Sequence, residues 1–399
     1  MTVQAVLPQA HPRGGVLLAA VLTGFVACTY GFGVYLFASL VVDMRRDLGF
    51  DYTTVGLITG TAQAGFLVFS FATGNLARRF TGGRIALAST LTCACSLLGL
   101  AASDNLWLSA ALLVVLGGCS ASAYIPLAEI VARRYPANRR ARVMGLISSG
   151  TSYGVFINGL LVSLVMGSIG WRGVWLVAGG LSLLLCAVAW PCLRETPEHD
   201  ASRVETPRPV GDAWFGTPVL MTWVVAFLNG VTLLPFQTYL VPHMRDGLGL
   251  AAQTAGMVWS TIGAVGMVAG FAVGWVADAI GVRYALSVCF ASAALAAGCV
   301  FMSSSTPPFF VAGVLFALAF YPVFGLVPSY LARIVPLTRL TQAFGIANVL
   351  IGLGGISGNV LGGVLRDLSG SFALLYLVIA VLLVVQGVLV LRLPERRER

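Results

Sequence analysis

Apolar residues along the chain form twelve long runs, and short clusters of charged and polar residues separate them. Each run is about 19 to 30 residues long, enough for an α-helix to cross the hydrocarbon core of a bilayer. A span in lipid must be helical, because the hydrocarbon offers backbone amides and carbonyls no outside partner. The short alternating segments of a membrane β-barrel do not occur. The pattern therefore predicts an all-α membrane protein with spans at 16–42, 54–77, 85–103, 106–132, 143–169, 173–193, 213–242, 254–277, 284–306, 307–333, 340–365 and 371–392.

A polar stretch between the sixth and seventh runs divides the chain into two parts of similar size. It extends from Arg194 to Asp212 and contains charged, proline-containing clusters such as Glu195-Thr-Pro-Glu198. Such a composition is typical of a linker and not of a folded domain. We therefore expect an N-terminal six-helix bundle at 1–193, a cytoplasmic linker at 194–212 and a C-terminal six-helix bundle at 213–399.

The two parts repeat each other at a constant shift of 200 residues. The shift superposes Met44-Arg45 on Met244-Arg245, and it superposes Gly74 on Gly274. Further matches at the same shift extend over five helices, which is hard to obtain by chance. Because each part has an even number of spans, both parts enter the membrane from the same side. The predicted repeat is therefore parallel, about an axis along the membrane normal.

Charge is scarce and consists of 24 basic residues, all of them arginine, and 15 acidic residues, for a net charge of +9. Cytoplasmic segments of membrane proteins carry an excess of basic residues. Nineteen arginines fall on the side of the two termini, so we expect both termini in the cytoplasm and the chain in a bacterial plasma membrane. No basic stripe alternates with aromatic residues, so a nucleic-acid partner is not expected. Five arginines fall on the other side: Arg45, Arg46, Arg172, Arg245 and Arg366.

Residue types used for catalysis or metal binding form no recognisable pattern. The eight cysteines lie in or at the end of apolar runs, and no pair has the spacing of a metal site or a redox motif. No buried acid–base pair, nucleophile motif or phosphate-binding loop occurs. We therefore expect no enzymatic activity, no cofactor, no bound metal and no ATP-driven pump.

The segments that follow the second and eighth spans carry the most specific motif. The first reads Gly74-Asn-Leu-Ala-Arg78-Arg79-Phe-Thr-Gly-Gly-Arg84, and the second reads Gly274-Trp-Val-Ala-Asp278-Ala-Ile-Gly281-Val-Arg283. Together with the repeat, they resemble the major facilitator superfamily, whose signature between helices 2 and 3 is Gly-x-x-x-Asp-Arg-x-Gly-Arg-Arg. The resemblance implies two six-helix bundles that transport a solute by rocker-switch alternating access, a monomeric chain and a gating role for these motif residues.

The first motif departs from that signature, because Arg78 stands where the family has an acidic residue. In the family this acid anchors a charge cluster that latches one state of the carrier. Glu129, near the end of the fourth span, is the only charged residue inside a predicted span, so we hypothesise that it pairs with Arg78. Alternatively, Glu129 carries a proton, as acids within membranes often do. His243, at the end of the seventh span, is a second candidate for proton coupling, although a solvated side chain is the simpler interpretation.

The predicted spans carry no charge at their centres, which limits the substrates. In its Gly-x-Gly first helix the chain resembles oxalate- and monocarboxylate-type carriers, which hold an anion with Arg or Lys in helix 8 or 11. Spans 254–277 and 340–365 have neither residue, so a multivalent anion would lose its hydration without compensation. We expect a small neutral or monoanionic metabolite such as a monocarboxylate, carried by symport or by facilitated diffusion. Efflux of drugs or metabolites in the same fold, or a transporter-like sensor, are the alternatives.

By the resemblance, helices 1, 4, 7 and 10 line the cavity, so their uncharged polar and aromatic residues are candidates for binding the substrate. Glycine or proline interrupts each of these helices, which lets backbone groups line a cavity. In a packed membrane bundle, however, such side chains also bridge helices. The expected partners are thus a small molecule and the lipid bilayer. With two residues from flanking helices, the candidates are Thr29, Tyr30, Tyr124, Asn229, Thr232, Gln237, Thr238, Tyr321, Trp259 and Asn348.

Overall fold

The computed structural model describes residues 12–77, 79–194 and 216–394. It contains twelve helices that are long and apolar enough to cross a membrane, and the described residues form no strand. The prediction of an all-α membrane protein with twelve spanning helices is therefore confirmed. The helices are α1 (Gly15–Leu48), α2 (Tyr52–Leu76), α3 (Gly82–Ala102), α4 (Leu106–Arg134), α5 (Arg142–Leu164), α6 (Met166–Leu193), α7 (Thr217–Gly247), α8 (Ala252–Ile280), α9 (Val282–Met302), α10 (Pro307–Ile334), α11 (Gln342–Ser369) and α12 (Ala373–Leu391).

Glycine ends α1 and α7 at positions that the repeat relates. Gly49 has a φ of 70° and Gly249 a φ of 68°, a left-handed conformation that glycine adopts without strain. The Gly49 N–H donates to the Arg45 carbonyl, and the Gly249 N–H donates to the Arg245 carbonyl. The chain therefore turns in the same way after α1 and after α7.

Two helices extend farther than their apolar runs. The sequence predicts that the first span ends at residue 42 and the seventh at 242, whereas α1 reaches Leu48 and α7 reaches Gly247. These boundaries are wrong because the charged residues that follow each run do not form a loop. They continue the helix and pair with one another across the bundle. The interpretation of Glu129 as the only charged residue inside a span is wrong for the same reason.

The winding of α1 changes in its middle, where residues Ala27–Tyr35 form a π-helix. This segment contains Gly31, which faces Gly154 of α5, and a Cβ at either position would overlap the backbone of the other helix. The Gly31 carbonyl accepts a hydrogen bond from the Asn158 side chain at 2.6 Å. Helix α5 thus packs directly on the irregular segment of α1.

The helices of residues 15–193, the N-half, pack on those of residues 217–391, the C-half, most extensively along two pairs: α2 with α11 and α5 with α8. Glycine allows the close approach, since Gly56 lies against the Asn359 carbonyl and Gly159 against the Gly256 carbonyl. Lipid gives helices no hydrophobic drive to associate, so close packing of small residues holds them together. Helix α1 is largely enclosed, with 83% of an 18-residue window buried, against 28% for α2.

We predict that Gly31→Ala lowers the thermal stability of the protein in detergent. The added methyl group must displace the Gly154 backbone, and overpacking of this kind costs roughly 1 to 3 kcal/mol. Gly298→Ala is the matched control, because a Cβ there meets no atom within 4 Å. The measurement is the midpoint of thermal unfolding, and equal midpoints for the two variants would contradict the packing described here.

Candidate functional site

Ion pairs join the two halves at the end of the bundle that lies away from the chain termini. We call this end the opposite side and the other end the terminus side. Arg45 of α1 donates to Asp246 of α7 at 2.7 Å, and Arg245 of α7 donates through both terminal nitrogens to Asp43 of α1, one of them at 3.0 Å. These crossed ion pairs are largely buried, with 8% of the Asp246 side chain and 11% of the Arg245 side chain exposed. Removing one partner would leave a poorly hydrated charge.

Asp246 is the centre of this cluster. Besides Arg45, it accepts hydrogen bonds from Arg46 at 2.6 Å and from the Tyr52 hydroxyl at 2.6 Å. The Arg45 and Arg366 guanidinium groups each lie 4.8 Å from the centroid of the Tyr52 ring. One carboxylate of the C-half therefore organises three side chains of the N-half through charge-assisted hydrogen bonds, and cation–π contacts strengthen the cluster.

Further contacts between the halves continue from this cluster toward the middle of the bundle. The Asp367 carboxylate of α11 accepts hydrogen bonds from the backbone N–H and the hydroxyl of Thr53, at 2.6 and 2.8 Å. Nearer the middle, the Ser260 hydroxyl donates to the Phe156 carbonyl at 3.2 Å. All of these contacts lie between the middle and the opposite side, so the opposite side is closed.

The middle of the bundle contains partly accessible aromatic side chains. The Tyr30 ring packs edge-to-face on Phe66 of α2 and on Tyr124 of α4, with centroid distances of 6.3 and 5.9 Å. Tyr35 packs edge-to-face on Phe320 of the C-half at 6.1 Å. Because other helices enclose most of α1, the accessible surface of Tyr30 and Tyr35 faces an internal space. These rings line a central cavity.

Three of the predicted threonines already have hydrogen-bond partners within their own half. Each donates to a carbonyl one turn earlier in its helix, at 2.7 Å from Thr29, 2.8 Å from Thr232 and 3.1 Å from Thr238. Thr232 also lies 3.5 Å from the Gln386 side chain of α12. Bonds to their own helices satisfy these hydroxyls as donors, and their role as substrate ligands stays a prediction.

Among the predicted binding residues, two amides and one indole are buried without a hydrogen-bond partner. Neither polar atom of the Asn229 or the Gln237 side chain forms a hydrogen bond, and the Trp259 indole N–H forms none either. An unpaired buried group of this kind costs about 1 to 3 kcal/mol, which favours a functional role for it. Asn348 differs, because it is half-buried and donates to the Phe344 carbonyl at 3.2 Å.

His243 is buried inside the C-half, with only 6% of its surface exposed. Its ring centroid lies 5.8, 5.7 and 5.4 Å from those of Phe309, Phe372 and Tyr376. The expectation of a solvated histidine is therefore wrong, because α10 and α12 enclose the last turns of α7. Among the residues that the structure describes, no group of three or more His, Cys, Asp or Glu could hold a metal ion.

Comparison with known proteins decides the family of the chain. The model of the Major Facilitator Superfamily matches residues 23–330 and, in a second match, residues 222–399. The chain belongs to the Major Facilitator Superfamily. The resemblance inferred from the two motifs is thereby confirmed, together with the multi-pass membrane fold.

Two curated relatives in the superfamily carry names of transporters. Monocarboxylate transporter 12 of Rattus norvegicus is 26% identical over 321 residues, which are 71% of this chain and 65% of the relative. The matched region thus spans slightly less than two thirds of that protein. Hexuronate transporter of Bacillus subtilis (strain 168) is 22% identical over 377 residues, which are 88% of this chain and 87% of the relative.

Two solved structures share the fold over nearly the whole chain. The nucleoside transporter NupG superposes with a TM-score of 0.76 at 12% identity, over 96% of this chain and 100% of that chain. A bacterial homologue of the human lysosomal transporter Spinster, in an inward-facing and unoccupied conformation, gives a TM-score of 0.74 at 15% identity, over 96% and 97%. At these identities the likeness concerns the fold alone.

The superfamily motifs lie on the terminus side, after α2 and α8. Gly281 has a φ of 98° and separates α8 from α9. Arg283 donates to the Leu393 carbonyl at 2.8 Å and to the Tyr284 hydroxyl at 2.6 Å, so it ties the start of α9 to the end of α12. The other described motif residues are exposed or partly accessible: Gly74, Arg79, Arg84, Gly274 and Asp278.

Glu129 forms an ion pair with Arg133, one turn later in α4, at 2.6 Å. Both side chains are 45% exposed, so this pair contributes little to stability. Arg78 lies outside the described residues, and its pairing with Glu129 stays a prediction. The carboxylate of Glu129 belongs to the terminus-side end of α4 and not to the central cavity.

The sequence analysis missed the acidic residues that close the opposite side, and it missed Tyr35 in the cavity. Asp43 and Asp246 lie beside the Met-Arg pair that repeats at a shift of 200 residues. The arginines of that pair contributed only to the assignment of topology. The available signal was an acid beside a repeated arginine in each half, which places two opposite charges at corresponding helix ends.

We predict that Asp246→Asn destabilises the protein by about 3 kcal/mol, because it leaves Arg45 partly buried without its counter-charge. Asp104→Asn is the matched control: its carboxylate pairs with Arg172 but is 86% exposed, so its loss is expected to cost less than about 1 kcal/mol. The measurement is unfolding in detergent by heat or denaturant. Similar losses in the two variants would contradict a special role for the crossed ion pairs.

Proposed function

We propose that this protein carries a small organic solute across the membrane by alternating access, with the N-half and the C-half rocking around the central cavity. Membership in the Major Facilitator Superfamily supports this function. The observation that carries the mechanism is the crossed ion pairs, which bridge the halves twice and close one side of the cavity. Rocking of the halves would break both bridges and open that side.

In this proposal the structure represents a state in which the cavity opens toward the terminus side. The excess of arginine on that side supports a cytoplasmic position for both termini, which makes the state inward-facing. We further propose that the protein acts as a monomer in a bacterial plasma membrane, since the two halves of one chain enclose the whole cavity.

The proposed substrate is a neutral or monoanionic molecule. The described charged residues fall toward the ends of the helices. None of them is adjacent in sequence to Tyr30, Tyr35 or Tyr124, the tyrosines of the central cavity. A second negative charge on the substrate would therefore lose its hydration without a counter-charge. The names of the relatives, a monocarboxylate transporter and a hexuronate transporter, support an organic acid with one carboxylate.

Facilitated diffusion is favoured over proton coupling through Glu129 or His243. Glu129 lies at the terminus-side end of α4 and is paired with Arg133. His243 lies near the opposite side, where aromatic rings enclose it. A proton carrier that couples to the substrate must exchange its proton near the substrate site, whereas Glu129 lies at an exposed helix end and His243 among aromatic rings near the opposite side.

Counterflow in proteoliposomes tests the transport function. Alternating access without coupling exchanges labelled for unlabelled solute with no external energy, so we expect counterflow with at least one monocarboxylate or hexuronate and no accumulation driven by a pH gradient. Liposomes without protein are the control for passive leak. A complete lack of counterflow across the panel would contradict transport, and accumulation driven by the gradient would contradict facilitated diffusion.

The terminus-side motifs are proposed to latch the alternate state, in which the cavity opens to the opposite side. Charge reversal tests the hypothesis that Arg78 pairs with Glu129. Arg78→Glu and Glu129→Arg are each expected to reduce solute exchange several-fold, and the double variant to recover about half of the activity, because it re-forms a pair of opposite charges. Arg133→Gln controls for the loss of the local pair in α4. No recovery in the double variant would exclude the pairing.

A further inference from the structure

The phenol groups of four tyrosines come together in the middle of the bundle. The Tyr30 ring packs edge-to-face on Tyr124 with a centroid distance of 5.9 Å, and the rings of Tyr35 and Tyr321 both pack edge-to-face on Phe320, at 6.1 and 5.2 Å. Tyr30 and Tyr35 belong to α1 and Tyr124 to α4, whereas Tyr321 belongs to α10 of the C-half. These four residues, which we call the tyrosine cluster, therefore connect the two halves that alternating access would move.

The hydroxyl groups of the tyrosine cluster have unused hydrogen-bonding capacity. The Tyr321 hydroxyl is buried beside Ser152 of α5, without a hydrogen bond of normal geometry. The Tyr124 hydroxyl has one partner, the Ser148 hydroxyl at 2.9 Å. A phenol both donates and accepts, so both residues can bond to a further polar group. A ligand with one such group would satisfy the buried Tyr321 hydroxyl, which is otherwise unfavourable.

Aromatic rings form the walls between these hydroxyl groups. Phe320 contacts Tyr35 and Tyr321 edge-to-face, with centroid distances of 6.1 and 5.2 Å. Phe324 packs on Phe320 at 5.1 Å and is 38% exposed, and Phe66 packs on Tyr30 from the N-half. Rings arranged in this way offer both faces and edges to a further ring, and such contacts stabilise beyond the burial of apolar area.

The charge on the terminus side favours neutral or anionic ligands over cationic ones. Aromatic rings alone also bind organic cations through cation–π contacts. Between the end of α4 and the start of α5, however, the single acid Glu129 is followed by Arg133, Arg134, Arg139, Arg140 and Arg142. A positive field at the entrance raises the local concentration of anions and lowers that of cations. The entrance therefore disfavours a cationic ligand.

From this arrangement we infer that the tyrosine cluster is the substrate site and that the substrate is a planar aromatic molecule with one acidic or hydroxyl group and no positive charge. The inference rests on the proposed function and deepens it. The substrate ring stacks among Tyr30, Phe66 and Phe324, and its polar group bonds to the hydroxyls of Tyr124 and Tyr321.

The first test compares two acids that differ only in aromaticity, 4-hydroxybenzoate and trans-4-hydroxycyclohexanecarboxylate. Calorimetric titration of the full-length protein in detergent gives Kd for each. We expect 4-hydroxybenzoate to bind about tenfold more tightly, because one or two aromatic contacts account for a difference of that size. Benzyltrimethylammonium, an aromatic cation, is expected to bind more weakly than 4-hydroxybenzoate.

Variants of single residues separate the contribution of the ring contacts from that of the hydrogen bond to the substrate's polar group. Tyr30→Leu is expected to remove most of the preference for the aromatic acid. Tyr321→Phe is expected to raise Kd for both acids by about tenfold and to keep the ratio of the two Kd values, because only a hydrogen bond to the charged group is lost. Tyr153→Phe is the matched control: Tyr153 lies on α5 and is 38% exposed, so its loss leaves both Kd values unchanged. The thermal unfolding midpoint of each variant shows whether it folds.

Equal Kd values for the two acids, or tighter binding of the aromatic cation, would overturn the inference. So would an effect of Tyr153→Phe equal to that of Tyr321→Phe. Counterflow with the same solutes separates this failure from that of the proposed function. Exchange of non-aromatic solutes without aromatic preference refutes only the substrate class, whereas no exchange and no binding of any solute refutes both proposals.

Discussion

Arg45 with Asp246 and Arg245 with Asp43 hold the two halves together at the opposite side of the bundle. Charged groups are costly in lipid unless they pair or reach water, so they concentrate near the ends of spanning helices. Here the pairing extends α1 and α7 past their apolar runs and brings both helices into register across the molecule. On the same side of the bundle, α5 and α8 approach each other closely through Gly159 and Gly256.

The same cluster is suited to reversible closure. Its inner residues are largely buried, but Arg46 beside them is 54% exposed, so water can reach the charges once the halves move apart. Loss of a partner inside the cluster leaves a poorly hydrated charge, whereas separation of the halves hydrates all partners together. Within each half, backbone contacts such as Gly31 with Gly154 are as tight as the glycine contacts between the halves, but in the described part of the chain they are not accompanied by a comparable cluster of buried ion pairs.

The central cavity differs from the closed side in being lined by uncharged side chains and not by ion pairs. Charge is absent from its tyrosines and phenylalanines, and recognition there depends on hydroxyl groups and ring contacts such as that of Tyr35 with Phe320. A charge-free cavity avoids the desolvation of a fixed ion each time the cavity changes sides. In the proposed mechanism, the arginine-rich entrance selects substrates by charge, and the aromatic rings of the cavity select them by shape.

The sequence by itself determined the helical membrane fold and its twelve spans, because lipid leaves the backbone no alternative to the helix, and the repeated motif indicated the superfamily. It did not determine which polar side chains face the cavity, since Thr232 and Tyr321 lie on spans with the same apolar pattern. Only helix packing decided that the Thr232 hydroxyl lies beside Gln386 of α12 and that the Tyr321 hydroxyl is buried without a hydrogen bond of normal geometry. The partner of Asp246 is 201 residues away, and tertiary structure alone brings such charges together, because local sequence restricts the helix but not its neighbour.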